Sequence, residues 1–305
     1  MIKRWLKILF KSLLVVLFGW LAWLFVTAKP APDHPFHADE SFSTIGHRGG
    51  GGKLPENTLQ AFVNSDKLGT DILEMDIRLT KDRHIILFHD RTLTRTTDCD
   101  GLVSEHTLKE LQQCKMRNGS TTADAHHNQQ PSGISGVPQG IPTLKEVFDY
   151  FPNKRMIIEI KGSEPELSAD FCTMLHQHKK ELQVLVGAFR QETLDQFRQL
   201  CPTVATAATA REGFRFYLVS KLRLTGLLSP TATSLIMPWR FTSKEKNKFF
   251  FMDIITPSFI RQAHDKNLAV YIFTVNDPED MKMLIDLGVD GIMTASPEVL
   301  LSIAQ

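Results

Sequence analysis

The chain has 305 residues, 42% hydrophobic and 23% charged, with 35 basic against 34 acidic side chains and a formal net charge of +1. That length fits one large α/β domain with an appendage. The near-neutral balance gives no electrostatic footprint for nucleic acid, which is excluded as an expected partner.

Residues 1–28 carry Lys3, Arg4, Lys7 and Lys11 and no acid, and Ser12 to Ala28 is an uncharged, largely apolar run with Trp20 and Trp23. At about 1.5 Å per residue this run nearly spans a bilayer core, and Ile8 to Phe10 with a snorkelling Lys11 complete it. The sequence therefore predicts a transmembrane helix over 1–28, its basic end cytoplasmic and the following domain exported. Val26-Thr-Ala28 also resembles a signal-peptidase site, so a secreted or periplasmic product after cleavage is the alternative. Residues 29–40, beginning Lys-Pro-Ala-Pro, read as a linker, and 41–305 as the folded domain.

Apolar strands are predicted at 42–46, 72–77, 84–88, 156–160, 184–188, 203–207, 253–256, 269–275 and 290–294. Helical patterns lie at 59–68, 144–151, 166–178, 192–200, 257–266 and 278–287. The alternation argues for a (β/α)8 TIM barrel. Nine strands are one too many, and the stretch from Asp76 to Ile85 is too short for a crossover helix. Either a helix is missing or one pair is a hairpin. Asn118 to Gly140, rich in Gly, Ser, Thr, His and Gln, reads as a mobile loop beside the mouth. Cys99, Cys114, Cys172 and Cys201 lack metal-ligand spacing, and whether they pair or stay as thiols is open.

Chemistry concentrates between Ile45 and Thr97. Side chains in a strand alternate faces, so Glu74 and Asp76 share one face, and so do Glu159 and Lys161. Carboxylates side by side on a mostly buried strand are tolerated when a cation sits between them. Oxygen donors alone point to one hard divalent ion, Mg2+ or Ca2+. His47 and His89 end strands, where barrels bind ligands, and two imidazoles supply one general acid and one general base. Arg48 suits bidentate phosphate binding, and Gly49 to Gly52 let backbone approach an anion. Against this stand plainer readings: a solvated strand face, a surface ion pair, a flexible turn. His84, His106, His126, His127, His176, His178 and His264 lack such company and read as surface residues.

The ordered fragments His47-Arg-Gly, Pro55-Glu-Asn-Thr58, Gly69 to Asp76, Thr80-Lys-Asp82, Phe88-His-Asp90, Arg95-Thr-Thr97, Ile141 to Leu144, Glu159-Ile-Lys161, Phe273 to Asn276 and Gly288 to Ile292 resemble the glycerophosphodiester phosphodiesterase family over about residues 41–302. The resemblance implies a divalent cation on Glu74, Asp76 and Glu159, acid–base work by His47 and His89, and phosphate binding by Arg48 and Lys161. It also implies attack by the glycerol hydroxyl next to the phosphate, giving a cyclic phosphate that water opens. Phe273 departs from the Trp of many members and alters a pocket wall. The run Phe214 to Phe241 looks like the membrane-attached lysophospholipase D branch, which takes lysolipids; the plain alternative is an amphipathic βα excursion over the barrel. A tethered, inactive lipid-binding module and a lyase that stops at the cyclic product are the remaining rivals.

Overall fold

The computed structural model describes residues 2–38, 41–50, 52, 54–117, 133–239 and 254–304. The strands are β1 (Ser43–Gly46), β2 (Ile72–Leu79), β3 (Ile85–Leu87), β4 (Arg155–Ile160), β5 (Val184–Ala188), β6 (Ala205–Thr206), β7 (Ser234–Met237), β8 (Ala269–Ile272) and β9 (Gly291–Thr294). All but β3 are parallel neighbours in the order β6-β5-β4-β2-β1-β9-β8-β7. A bridge between Ala207 and Ser234 joins the two ends, helped by bonds from Thr233 N to Thr206 O (2.9 Å) and from Ala208 N to Ser234 O (2.8 Å). The result is an eight-stranded parallel barrel. The surplus strand is β3, which pairs antiparallel with β2. Its tight turn has Arg83 in the left-handed region at φ 61° and needs no crossover helix.

The helices are α1 (Ile2–Thr27), α2 (Leu59–Leu68), α3 (Leu108–Leu111), α4 (Leu144–Tyr150), α5 (Pro165–His178), α6 (Gln191–Leu200), α7 (Ala210–Lys221), α8 (Pro257–His264), α9 (Pro278–Asp286) and α10 (Pro297–Ile303). Thr58, Thr143, Thr209, Thr256 and Asp277 start five of them by accepting first-turn N–H groups. Each such cap contributes about 1 kcal/mol.

The expected strand at 253–256 does not form. Asp253 lies outside the described residues, and the buried Ile254 and Ile255 run irregularly into Thr256, the cap of α8. The sixth barrel strand is β7, inside the run that resembles an excursion. Short buried apolar runs look alike by periodicity, so the sequence does not distinguish 253–256 from β7. Helix α7, which begins just before the run from Phe214 to Phe241 and extends into it, supplies the regular crossover helix. Gly51 and residues 118–132, 240 and 241, including His126 and His127, lie outside the described residues.

Period-two alternation sorts the barrel into layers. Leu73, Met75 and Ile77 of β2 pack outward against helices. Ile72 joins Ile45, Ile157, Leu185 and Phe36 in the interior floor layer. The next inward positions of β2 are Glu74 and Asp76, one layer and two layers higher. Asp76 is in register with Glu159 of β4.

The stretch expected as a linker is strapped across the floor. Ala31 N donates to Lys266 O (2.8 Å), and Asn267 Nδ2 donates to Ala31 O (3.0 Å). Phe36 is fully buried, a plug that contributes about 1.5–3 kcal/mol by its transfer from water. His37 bonds Tyr271 Oη and Thr233 Oγ1. The cysteines form two disulfides, Cys99–Cys114 and Cys172–Cys201. Leu9–Thr27 of α1 is long and apolar enough to cross a membrane, and Trp20 and Trp23 are exposed. The end of α1 touches the domain where Phe25 lies on Gly226; a Cβ there would sit 2.8 Å from the ring.

Candidate active site

The carboxyl ends of β1, β2 and β4 bring the sequence-derived residues together. Directly after β1 the chain makes a single turn, His47–Gly49, with Arg48 at φ 51°. Gly49 follows at φ 83°, where a Cβ would lie 2.8 Å from that of Ala61, so only glycine fits this close approach to α2. The turn aims the Arg48 N–H at Glu74 Oε2, to which it donates at 2.8 Å. It also brings His47 Nε2 within 4.0 Å of the same oxygen.

Glu74 and Asp76 are buried and Glu159 is half-buried, and each presents an oxygen within 4.8 Å of the others. Lys161 Nζ lies 2.8 Å from Glu159 Oε2 and 3.3 Å from Asp76 Oδ1. Asn57 Nδ2 donates to Asp76 Oδ2 at 2.9 Å, while Asp76 N donates back to Asn57 Oδ1 at 3.1 Å. Arg48 Nε is 3.2 Å from Asp76 Oδ2 but poorly aligned, which leaves this buried N–H without a hydrogen-bond acceptor.

The acids do not share one electrostatic fate. Burial drives the Glu74 carboxyl well above the usual carboxylate range, and neighbouring Asp76 adds to it. Burial opposes charge on Asp76 as well, but Lys161, Arg48 and the Asn57 amide overcome it and hold that carboxyl below its ordinary value. Burial, with Arg48 beside it, lowers the His47 imidazole to about 4. A carboxyl whose charge is opposed by burial is a group whose ionised form a hard cation would stabilise. The donor set of Glu74, Asp76 and Glu159 fits such an ion.

His89 follows β3 at the same rim, near enough to Asp76 and His47 to influence both electrostatically. Its Nδ1 lies 2.6 Å from Asp90 Oδ1. Asp90 accepts from Arg95 Nε (2.6 Å), Arg95 Nη2 donates to Glu56 Oε1 (2.6 Å), and Glu56 accepts from Arg48 Nη1 (2.9 Å). One charged chain thus runs from His89 to Arg48. Arg78 fixes the strand end beneath it by donating through Nε and Nη2 to His89 O. Glu56, Asn57, Asp90 and Arg95 occur in the fragments of the resemblance without an assigned part; the only sequence signal for them was their place in those motifs.

A family model described as the glycerophosphoryl diester phosphodiesterase family matches residues 47–299. A glycerophosphodiester phosphodiesterase of Caldanaerobacter subterraneus subsp. tengcongensis is 29% identical over 266 residues, covering 86% of this chain and 97% of that one. A lysophospholipase D of Homo sapiens is 27% identical over 269 residues, covering 83% of each. An Oleispira antarctica phosphodiesterase, solved in complex with the product sn-glycerol-3-phosphate, superposes with a TM-score of 0.61 at 26% identity, covering 86% of this chain and 96% of that one. The chain belongs to the glycerophosphoryl diester phosphodiesterase family and is a phosphoric diester hydrolase.

Proposed function

We propose that the protein hydrolyses glycerophosphodiesters to glycerol 3-phosphate and an alcohol, with His47 and His89 as acid–base pair. The observation that carries this reading is the meeting of His47, Arg48, Lys161 and three carboxylates at one rim, beside an imidazole buttressed by Asp90. Glu74, Asp76 and Glu159 would hold one divalent cation, Mg2+ or Ca2+, which would offset phosphate charge and make the attacking hydroxyl more acidic. The open Arg48 Nε–H and the Lys161 ammonium suit the phosphate oxygens. One imidazole takes the proton of the attacking hydroxyl, and the other gives a proton to the leaving alcohol oxygen. The roles exchange when water opens the product of the first step.

The test is release of glycerol 3-phosphate from glycerophosphocholine by the purified chain. His47→Ala and His89→Ala should each lower turnover by about 10²–10⁴-fold with the fold intact; near-normal turnover in either removes that residue from the mechanism.

The human relative and the apolar helix α1 favour a second reading, lysophospholipase D action on membrane lysolipids. Choline release from lysophosphatidylcholine, set against glycerol 3-phosphate release from glycerophosphocholine, separates the two. We read 1–28 as a retained anchor, 29–40 as its connection and 41–305 as the catalytic domain, exported with the amino terminus cytoplasmic. Two disulfides suit such an oxidising compartment.

A further inference from the structure

An outer-ring helix of a soluble barrel turns polar residues to water, as α5 and α9 do with Glu166, Thr173 and Gln177, and with Glu279, Lys282 and Asp286. Helix α7 departs from this rule. Its outward face is Arg211, Phe214, Arg215, Leu218 and Lys221, continued by Leu222 at its C-terminal cap. Phe214, Leu218 and Leu222 recur every fourth residue and are 54%, 48% and 69% exposed. Leu224, just beyond the helix, is 46% exposed. The one acid of α7, Glu212, turns to the neighbouring helix α6, where it is paired with Arg198 at 2.7 Å. The face therefore mixes apolar and basic groups and carries no acid.

We infer that this face of α7 lies in the headgroup region of an anionic phospholipid bilayer, as a second membrane contact beside α1. Two observations select a bilayer as the occupant. First, a stripe of Phe and Leu edged by Arg and Lys matches the profile of an interfacial helix, apolar groups entering the acyl boundary while cations meet lipid phosphates. Second, the stripe is continuous with the exit of α1. The turn after α7 is the place where Phe25 packs on Gly226, and Lys29 N donates to Ser229 Oγ at 3.2 Å. A bilayer crossed by α1 is thus brought alongside α7. The inference rests on reading α1 as embedded, and its test keeps the two apart.

All four native cysteines are in disulfides, so one introduced thiol can be labelled alone. A nitroxide would be placed in the full chain by Leu218→Cys, by Val16→Cys in α1, or by Lys67→Cys on α2 across the ring. The labelled proteins would be reconstituted in phosphatidylcholine vesicles with phosphatidylglycerol. Accessibility to oxygen, which partitions into lipid, is compared with that to a water-soluble nickel complex. The expected result is a lipid signature at positions 16 and 218 and a water signature at 67, with turnover of glycerophosphocholine by the labelled Leu218→Cys protein unchanged. A water signature at 218 equal to that at 67 overturns the proposal, even with 16 in lipid. A water signature at 16 with lipid at 218 removes the anchor and keeps the α7 contact. Arg215→Glu with Lys221→Glu should return the label at 218 to water; retention of the lipid signature would remove the electrostatic half of the argument.

Discussion

The Asp90 carboxylate and the His89 imidazole form a 2.6 Å pair at the rim. Burial opposes the carboxylate, but Arg95 and His89 overcome it and pull Asp90 down to about 2, so it is ionised at any working pH. An ionised Asp90 can only accept, which makes His89 Nδ1 the donor and leaves Nε2 to exchange protons with substrate. Asp90→Asn removes the charge and the fixed tautomer together. Turnover is expected to fall by about 10²-fold or more with cation affinity near that of the native protein. Steady-state rates with calorimetric metal titration check this; native turnover would show that Asp90 does not hold the reacting tautomer.

Cation binding should be coupled to pH in a defined direction. Glu74 sits above the usual carboxylate range because of burial and of Asp76, so a cation entering the acidic cluster competes with its proton. Affinity is expected to weaken as pH falls and to strengthen as pH rises, levelling off once Glu74 is ionised without help. Calorimetry in two buffers of different ionisation enthalpy reads the proton released. A heat independent of the buffer would refute this. Chelator should also silence turnover, with Mg2+ or Ca2+ restoring it.

How far these groups could be seen in the sequence depended on how local they are. Glu74 and Asp76 are two residues apart on one strand, and His89 and Asp90 are adjacent, so alternation and motif order were enough to group them. The Glu56–Arg95 pair spans 39 residues and exists only because the turn after β1 and the loop after β3 meet at the rim. No local pattern carries it. The same holds for the floor: Phe36 and His37 sit in a Pro-rich stretch with no periodicity, and only the closed barrel gives them partners. The β2–β3 hairpin is illegible for a related reason, since a turn of a few residues leaves no helical signature to be missing. The strand β7 was hidden because four residues are too few to separate strand from buried coil.

The bridge Cys172–Cys201 ties α5 to the end of α6 across a separation of 29 residues. Closing a loop of that size in the unfolded chain is expected to stabilise the domain by about 2–4 kcal/mol. Cys172→Ala with Cys201→Ala should lower the urea midpoint accordingly, while hydrolysis at the distant rim persists in the molecules that stay folded. An unchanged midpoint would show that the bridge constrains nothing the packing of α5 on α6 does not already fix.

Stability should also depend on pH through one pair on the floor. His264 Nε2 lies 2.9 Å from Asp290 Oδ2 at the end of α8, and this hydrogen bond, with the charge of Asp290, raises the imidazole above its ordinary value. Because the folded pKa exceeds the unfolded one, the folded state binds the proton more tightly. The contribution is complete below the unfolded value of ~6.5 and is lost as pH rises through the folded value. Half-exposure of the pair keeps it small. His264→Gln removes it, so the native protein and the variant should differ in urea midpoint below pH ~6 and converge at pH ~9. A difference that grows with pH would reverse the sign and place the proton on the unfolded chain instead.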